Sequence, residues 1–195
     1  DKNFSTLAFS SHAPLPFKNS FALQKDKVDE YCSTIRSLSY EYAGRIEIYL
    51  SMEIDFISEL SDDFEFWKKR AGLDFVIGGV HLLPAPSGNG LWFIDGPIRD
   101  TFDEGFFNLF DGDARLAVRT YFEQINIMAE TQTPDIIAHF DKIKMHNQER
   151  FFSVEDDWYL SLLRESLEVI AKKGCIVEVN TRGIYKARCN ELFPN

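Results

Sequence analysis

Five short apolar runs, separated by stretches in which apolar residues recur at three- and four-residue steps, constrain this chain more than any other feature. The runs are Ser5-Thr-Leu-Ala-Phe-Ser10, Ile46-Glu-Ile-Tyr-Leu50, Phe75-Val-Ile-Gly-Gly-Val80, Asp135-Ile-Ile-Ala138 and Cys175-Ile-Val-Glu-Val179. Over 26–43, residues Val28, Tyr31, Cys32, Ile35, Leu38 and Tyr42 make one apolar stripe of helical period, and Gly44 can end that helix. Val118, Tyr121, Phe122, Ile125, Met128 and Ala129 repeat the pattern, with Asp113 placed to cap the start and Pro134 beyond the end. Ser153-Val-Glu-Asp156 reads as a capping box with Asp in the Glu position. The helix it opens carries Leu160, Leu163, Leu167 and Ile170 to a basic last turn, Lys172-Lys173, and to Gly174. Strand, helix, strand at this spacing predicts right-handed βαβ units: an α/β fold with a parallel sheet or barrel and helices outside.

The second feature is where the metal-ligand side chains fall. His12, Glu53, His81 and His139 each come just after one of the apolar runs, and in such folds the carboxyl ends of the strands gather at one rim, where active sites are kept. Of the four histidines only His146 lacks a strand directly before it. A lone histidine beside an apolar strand is more often hydrogen-bonded core or surface than ligand, but three in equivalent positions together with Glu53 point to a metal-dependent enzyme. Imidazoles mixed with carboxylates suit zinc, manganese or iron and argue against calcium. Strand alternation puts Asp55 on the same side as Glu53, where it either orients a ligand or ends in solvent. Basic residues follow the last two runs closely: Lys142, Lys144, His146 and Arg150 in one group, Arg182, Lys186 and Arg188 in the other. They suggest an anion, most simply a phosphate, with solvated loop cations as the competing reading. Arg182, two residues past a strand end, is the leading candidate.

Composition narrows the class. A chain of 195 residues suits one domain, 1–195, and is short for a complete eight-stranded β/α barrel, typically about 250 residues. Hydrophobic content of 45% with 14% aromatics excludes a disordered chain. A net charge of −10 repels a polyphosphate backbone, so nucleic acid is not expected as a partner, whereas a small anion remains compatible if metal ions supply positive charge. Cys32, Cys175 and Cys189 are an odd set without CxxC spacing, which suggests neither a disulfide framework nor a thiolate zinc site. Without a long apolar stretch or a signal-peptide pattern, the chain reads as soluble and cytoplasmic. The long interruption 84–112, rich in Pro, Gly and aromatics, either folds over the rim and shapes the substrate pocket or packs as a surface excursion; its apolar part around Trp92 reads as a lid or an interface. Phe64, Phe66 and Trp67 lie on a short acidic-to-basic helix and read as packing residues.

Five motifs in order carry a family resemblance: Phe9-Ser-Ser-His12-Ala-Pro14, Met52-Glu53-Ile-Asp55, Asp74-Phe-Val-Ile-Gly-Gly-Val-His81, Ile137-Ala-His139-Phe-Asp141 and Val177-Glu-Val-Asn180-Thr-Arg-Gly183, followed by Glu191-Leu-Phe-Pro194. Over essentially its whole length the chain resembles histidinol-phosphatases of the PHP superfamily. The resemblance implies a distorted TIM-like β/α barrel, up to three divalent metal ions, and hydrolysis of L-histidinol phosphate to L-histidinol and phosphate in histidine biosynthesis. On that pattern His12, Glu53, His81 and His139 are metal ligands. Arg182, Lys142, Lys144 and Asn180 hold the phosphate, Asp55 and Asp141 orient the ligands, and no general acid is assigned. The family opens with a His-x-His motif and closes with an Asp-x-His motif, neither of which is in this sequence, so the chain reads as the central portion of the barrel, incomplete at both ends. Ser11 also stands where the family commonly has Asp. The alternatives are a phosphoesterase of the same superfamily acting on another small phosphate ester or nucleotide, and a non-catalytic domain derived from it. Exposed sheet edges and an acidic surface are compatible with a homo-oligomer.

Overall fold

The computed structural model describes residues 5–194. Its strands are β1 (Thr6–His12), β2 (Glu47–Asp55), β3 (Phe75–Gly79), β4 (Leu82–Pro84), β5 (Leu91–Phe93), β6 (Ile136–Ile137) and β7 (Ile176–Val177). One sheet has the order β1-β2-β3-β6-β7, every pairing parallel, and β4 with β5 forms a separate antiparallel pair. Parallel neighbours require crossovers, and helices supply them: α1 (Val28–Glu41) joins β1 to β2, α2 (Phe64–Ala71) joins β2 to β3, and α5 (Asp157–Lys173) joins β6 to β7. Between β3 and β6 lie the small hairpin and two helices, α3 (Arg99–Phe110) and α4 (Ala114–Thr131); a short α6 (Arg182–Tyr185) follows β7. Among the described residues β1 and β7 are not bonded to each other, so the sheet is an open segment of parallel β/α architecture.

β2 shows how alternation builds the layers. Its even residues Ile48, Leu50, Met52 and Ile54 are buried in one core with Val28 and Ile35 of α1, Phe64 and Trp67 of α2, Val118, Phe122, Ile125 and Met128 of α4, and Tyr159 and Ile170 of α5. Its odd residues Glu47, Tyr49, Ser51, Glu53 and Asp55 take the opposite face, because successive side chains point to opposite sides of a strand. Leu50 and Met52 are fully buried, and truncating either to alanine is expected to cost about 2–5 kcal/mol. The site is therefore carried on a face backed by packed helices.

Two helix ends follow their sequence signals and two do not: α1 stops at Glu41 with Tyr42 as its C-cap, ahead of Gly44. The Asp113 side chain accepts from the Leu116 amide at 3.0 Å and caps α4, and Gly174 takes the left-handed conformation at φ 72° that closes α5. Ser153 is not the first cap of α5, as the capping-box reading expects. Ser153 and Asp156 do close a reciprocal turn, Ser153 N–H donating to Asp156 Oδ2 at 3.3 Å and the Glu155 amide donating to Ser153 Oγ at 3.2 Å, but that turn precedes the helix, whose cap is Asp156.

The interruption 84–112 also differs from a plain loop: it contains β5 and α3. Trp92 is buried rather than presented as a lid or interface, its indole N–H donating to the Phe102 carbonyl at 3.0 Å and its ring packed on Phe102, Phe106 and Phe110. Phe64 and Trp67 are buried, as packing residues should be, while Phe66 is half exposed. No helix among the described residues is long and apolar enough to cross a membrane.

Candidate metal centre

All five parallel strands end at one rim, and the register of the sheet sets the first geometry there. His12, the last residue of β1, stands opposite Glu53, and Asp55, the last of β2, stands opposite Gly79. Glu53 is not beyond its strand but within it, since β2 runs on to Asp55. His81 lies two residues past β3 and His139 two past β6. The structure brings all four together: His81 Nε2 is 3.2 Å and His139 Nε2 3.0 Å from Glu53 Oε1, and His12 Nε2 is 3.9 Å from Glu53 Oε2. Ligand atoms of His12, Glu53 and His81 lie within 4.8 Å of one another.

Asp55 organises two of these rings at once. One carboxylate oxygen is 3.2 Å from His12 Nδ1 and the other makes a short contact with His81 Nδ1. A carboxylate on Nδ1 fixes the tautomer that leaves Nε2 free as a donor atom, and both Nε2 atoms here face Glu53. Burial pushes the Asp55 carboxyl up, but the charges and hydrogen bonds of His81 and His12 outweigh it and the group is held low. Burial likewise raises Glu53, and hydrogen bonds from His139 and His81 reverse this and hold it well below the ordinary range. For His81, burial alone would lower the value; Asp95, Asp55 and Glu53 raise it well above the usual imidazole range. His139 is lowered, first by burial. Three imidazole Nε2 atoms gathered around the anionic Glu53 carboxylate, with Asp55 behind two of the rings, make a donor set that fits a divalent metal ion.

Two backbone features make room for this cluster. His139 adopts a positive φ of 28°, a sparsely populated conformation for a residue with a side chain, held by the Glu178 carboxylate accepting from its amide at 3.1 Å and by the Tyr121 hydroxyl at 3.4 Å from its carbonyl. Gly79 carries no Cβ where one would stand 2.9 Å from His81 Cε1, 3.1 Å from Glu53 Oε1 and 3.3 Å from His139 Cε1. The neighbouring Gly78 faces the other way, where a Cβ would meet Met128, Phe64 and Pro134 within 2.9 Å. The Gly-Gly pair thus admits helices on one face and the histidines on the other.

The cluster floors a cavity of about 320 Å³ lined also by Phe21, Phe93, Asp95, Lys142, Asn180, Arg182 and Arg188. That size suits a small metabolite. Of the residues expected to hold phosphate, Lys142, Asn180 and Arg182 line it; Lys144 does not. Lys144 is buried against Asp141 at 2.6 Å and Glu191 at 3.3 Å and borders a separate cleft. The two lysines sit on one turn of 3₁₀ helix, Lys142–Lys144, in which residues two apart point to different sides. Asp141 accordingly pairs with Lys144 rather than with a ligand histidine, and burial raises its carboxyl. His146 stays out of the cluster and donates through Nε2 to the Gly96 carbonyl at 2.7 Å. Asp95 and Glu178, which sequence reasoning missed, both belong to the site's surroundings. Asp95 lies in the long interruption and has no periodicity to mark it, and Glu178 was read only as a strand residue.

Residues 1–182 match the family model described as PHP domain. The chain is 32% identical over 206 residues to a Bacillus subtilis protein named "Histidinol-phosphatase", a match spanning 98% of this chain and 74% of the relative. It is 28% identical over 199 residues to a Deinococcus radiodurans protein named "Probable histidinol-phosphatase", spanning 100% of this chain and 68% of the relative. A crystal structure from Listeria monocytogenes, which carries a provisional histidinol phosphatase assignment, superposes with a TM-score of 0.82 over 98% of this chain and 76% of that one; at 18% identity it shows a shared fold.

Proposed function

Because the chain belongs to the PHP domain family, we propose that it carries the metal site of a phosphoric monoester hydrolase acting on L-histidinol phosphate. The observation that carries this is the convergence of His12, Glu53, His81 and His139 on one floor of a cavity whose wall holds Lys142, Arg182 and Arg188. Divalent ions bound there, zinc, manganese or iron, supply Lewis acidity toward phosphate oxygens and lower the pKa of the attacking water toward neutrality.

The residues of this chain do the positioning. His12, Glu53, His81 and His139 hold the ions, and Asp55 locks the Nδ1 sides of His12 and His81 so that their Nε2 atoms keep facing the centre. Arg182 and Lys142 offset the charge of the phosphate, Arg182 being an exposed side chain at the mouth and Lys142 a buried one. Asn180 orders that wall: its side-chain amide donates to Glu178 at 3.2 Å and its Oδ1 accepts the Arg182 amide at 2.8 Å. Phe21 and Phe93, stacked with centroids 5.2 Å apart, give the cavity lining an apolar surface suited to the alcohol side of the ester.

The test is inorganic phosphate release from histidinol phosphate, with manganese or zinc added, compared with release from a generic aryl phosphate. A clear preference for histidinol phosphate is expected; equal turnover would move the assignment to a broader phosphoesterase, and no turnover of either with ions bound would sink the hydrolase reading. His139→Ala should lose both metal content and activity, and retention of both would remove His139 from the ligand set.

A further inference from the structure

Asp95 is the acidic group of the cavity whose role the reading above leaves open. It is a carboxylate only 9% exposed, and its Oδ1 has no hydrogen-bond partner among the described residues. Its Oδ2 lies 3.7 Å from His81 Nε2 and 3.6 Å from Lys142 Nζ, near enough for attraction and too far for a hydrogen bond. Leaving a buried carboxylate without a single hydrogen bond to its side-chain oxygens is costly even beside cations, and in a native site calls for an explanation, a bound ion among them.

The loop that carries it is not free to turn it away. The Ile94 amide donates to the His81 carbonyl at 3.0 Å, Arg188 donates to the Asp95 carbonyl at 3.4 Å, and His146 donates to the next carbonyl, Gly96, at 2.7 Å. Three separate elements thus hold the backbone so that the carboxylate faces the rim. A nitrogen and an oxygen bound to one ion at roughly 2.0–2.2 Å each are separated by about the distance that divides His81 Nε2 from Asp95 Oδ2.

We propose that Asp95 is a further metal-ligating carboxylate, holding an ion together with His81. This rests on the divalent-metal reading of the site and extends it to a residue outside the four strand-end ligands. Lys142, whose Nζ lies 3.6 Å from the same carboxylate oxygen, then shares that oxygen's charge with the ion and presents its ammonium group to the phosphate.

The experiment is a titration of the metal-stripped chain with Mn²⁺ by calorimetry, with ion content read by mass spectrometry, and the visible spectrum of the Co²⁺ form, for the wild type and for Asp95→Asn. The expected result is one ion lost, or held at least about tenfold more weakly, together with an altered cobalt spectrum. Unchanged stoichiometry, affinity and spectrum would overturn the proposal. Asp95→Cys gives an independent reading: a cobalt–thiolate charge-transfer band is expected if the side chain reaches the ion, and its absence counts against the proposal even if Asp95→Asn folds poorly. Histidinol phosphate turnover by the same wild-type sample separates the two claims. Ion binding weakened by Asp95→Asn in a chain that does not turn over the ester keeps Asp95 as a ligand and loses the substrate. Turnover with Asp95→Asn binding ions normally keeps the substrate and loses Asp95.

Discussion

At the scale of single residues, Gly79 makes the sharpest demand in the site, because the space a side chain would take is filled by His81, Glu53 and His139. Gly79→Ala should therefore weaken Mn²⁺ binding by about tenfold or more, whereas Gly78→Ala, pressed against Met128, Phe64 and Pro134, should lower stability by about 1–3 kcal/mol with less effect on the ion. Calorimetric titration beside urea unfolding separates the two effects, and equal behaviour of the two variants would contradict the division of faces. The gathering of His12, Glu53, His81 and His139 was legible in the sequence because a side chain at a strand end inherits the direction of its strand. Asp55 was legible through alternation with Glu53. The pairing of Lys144 with Asp141, away from the cavity, was not legible because nothing in their spacing announces a 3₁₀ turn, which sends Lys142 to the cavity and Lys144 to Asp141.

Among the elements, the strongest periodic signals gave helices α1, α4 and α5 and the five parallel strands, while the ends shifted. β2 runs past Leu50 to Asp55 because the alternation itself runs on, with Met52 and Ile54 in the core and Ser51, Glu53 and Asp55 on the other face. The region 84–112 hid α3 because Phe102, Phe106 and Phe110 recur at helical spacing inside a stretch whose prolines and glycines dominate a first reading. One tie between elements can be tested by pH. Asp74, just ahead of β3, accepts from both terminal nitrogens of Arg36 on α1, at 2.8 and 2.9 Å, and from the Leu50 amide of β2 at 2.7 Å. Burial pushes its carboxyl up, but Arg36 and that amide outweigh burial and hold it below its ordinary 3.8. A carboxyl lowered in the folded state stabilises fully above its unfolded value, and that contribution fades as pH falls toward the folded one. Asp74→Asn should accordingly cost about 1 kcal/mol at neutral pH, discounted for partial exposure, and less at pH 3. Urea unfolding at the two values checks this, and a cost that does not shrink with acid would rule out the carboxylate as its source.

For the molecule as a whole, the ligands come from four different strand ends, so an ion binds the folded chain and not the unfolded one. Mn²⁺ or Zn²⁺ at one hundred times its dissociation constant should add about 2.7 kcal/mol of stability by linkage, raising Tm by several degrees, and a chelator should reverse the gain. A Tm indifferent to metal and chelator would disconnect the cluster from ion binding. The parallel register carries this further, since His12 meets Glu53 and Asp55 meets Gly79 only when β1, β2 and β3 are aligned as they are. A slip of one residue would turn Glu53 and Asp55 to the helix-packed face and leave His12 facing Met52 or Ile54. Ion capture during refolding is thus a stopwatch for strand alignment: it can begin only after the central strands have found their partners, and the delay before it measures how long that search takes.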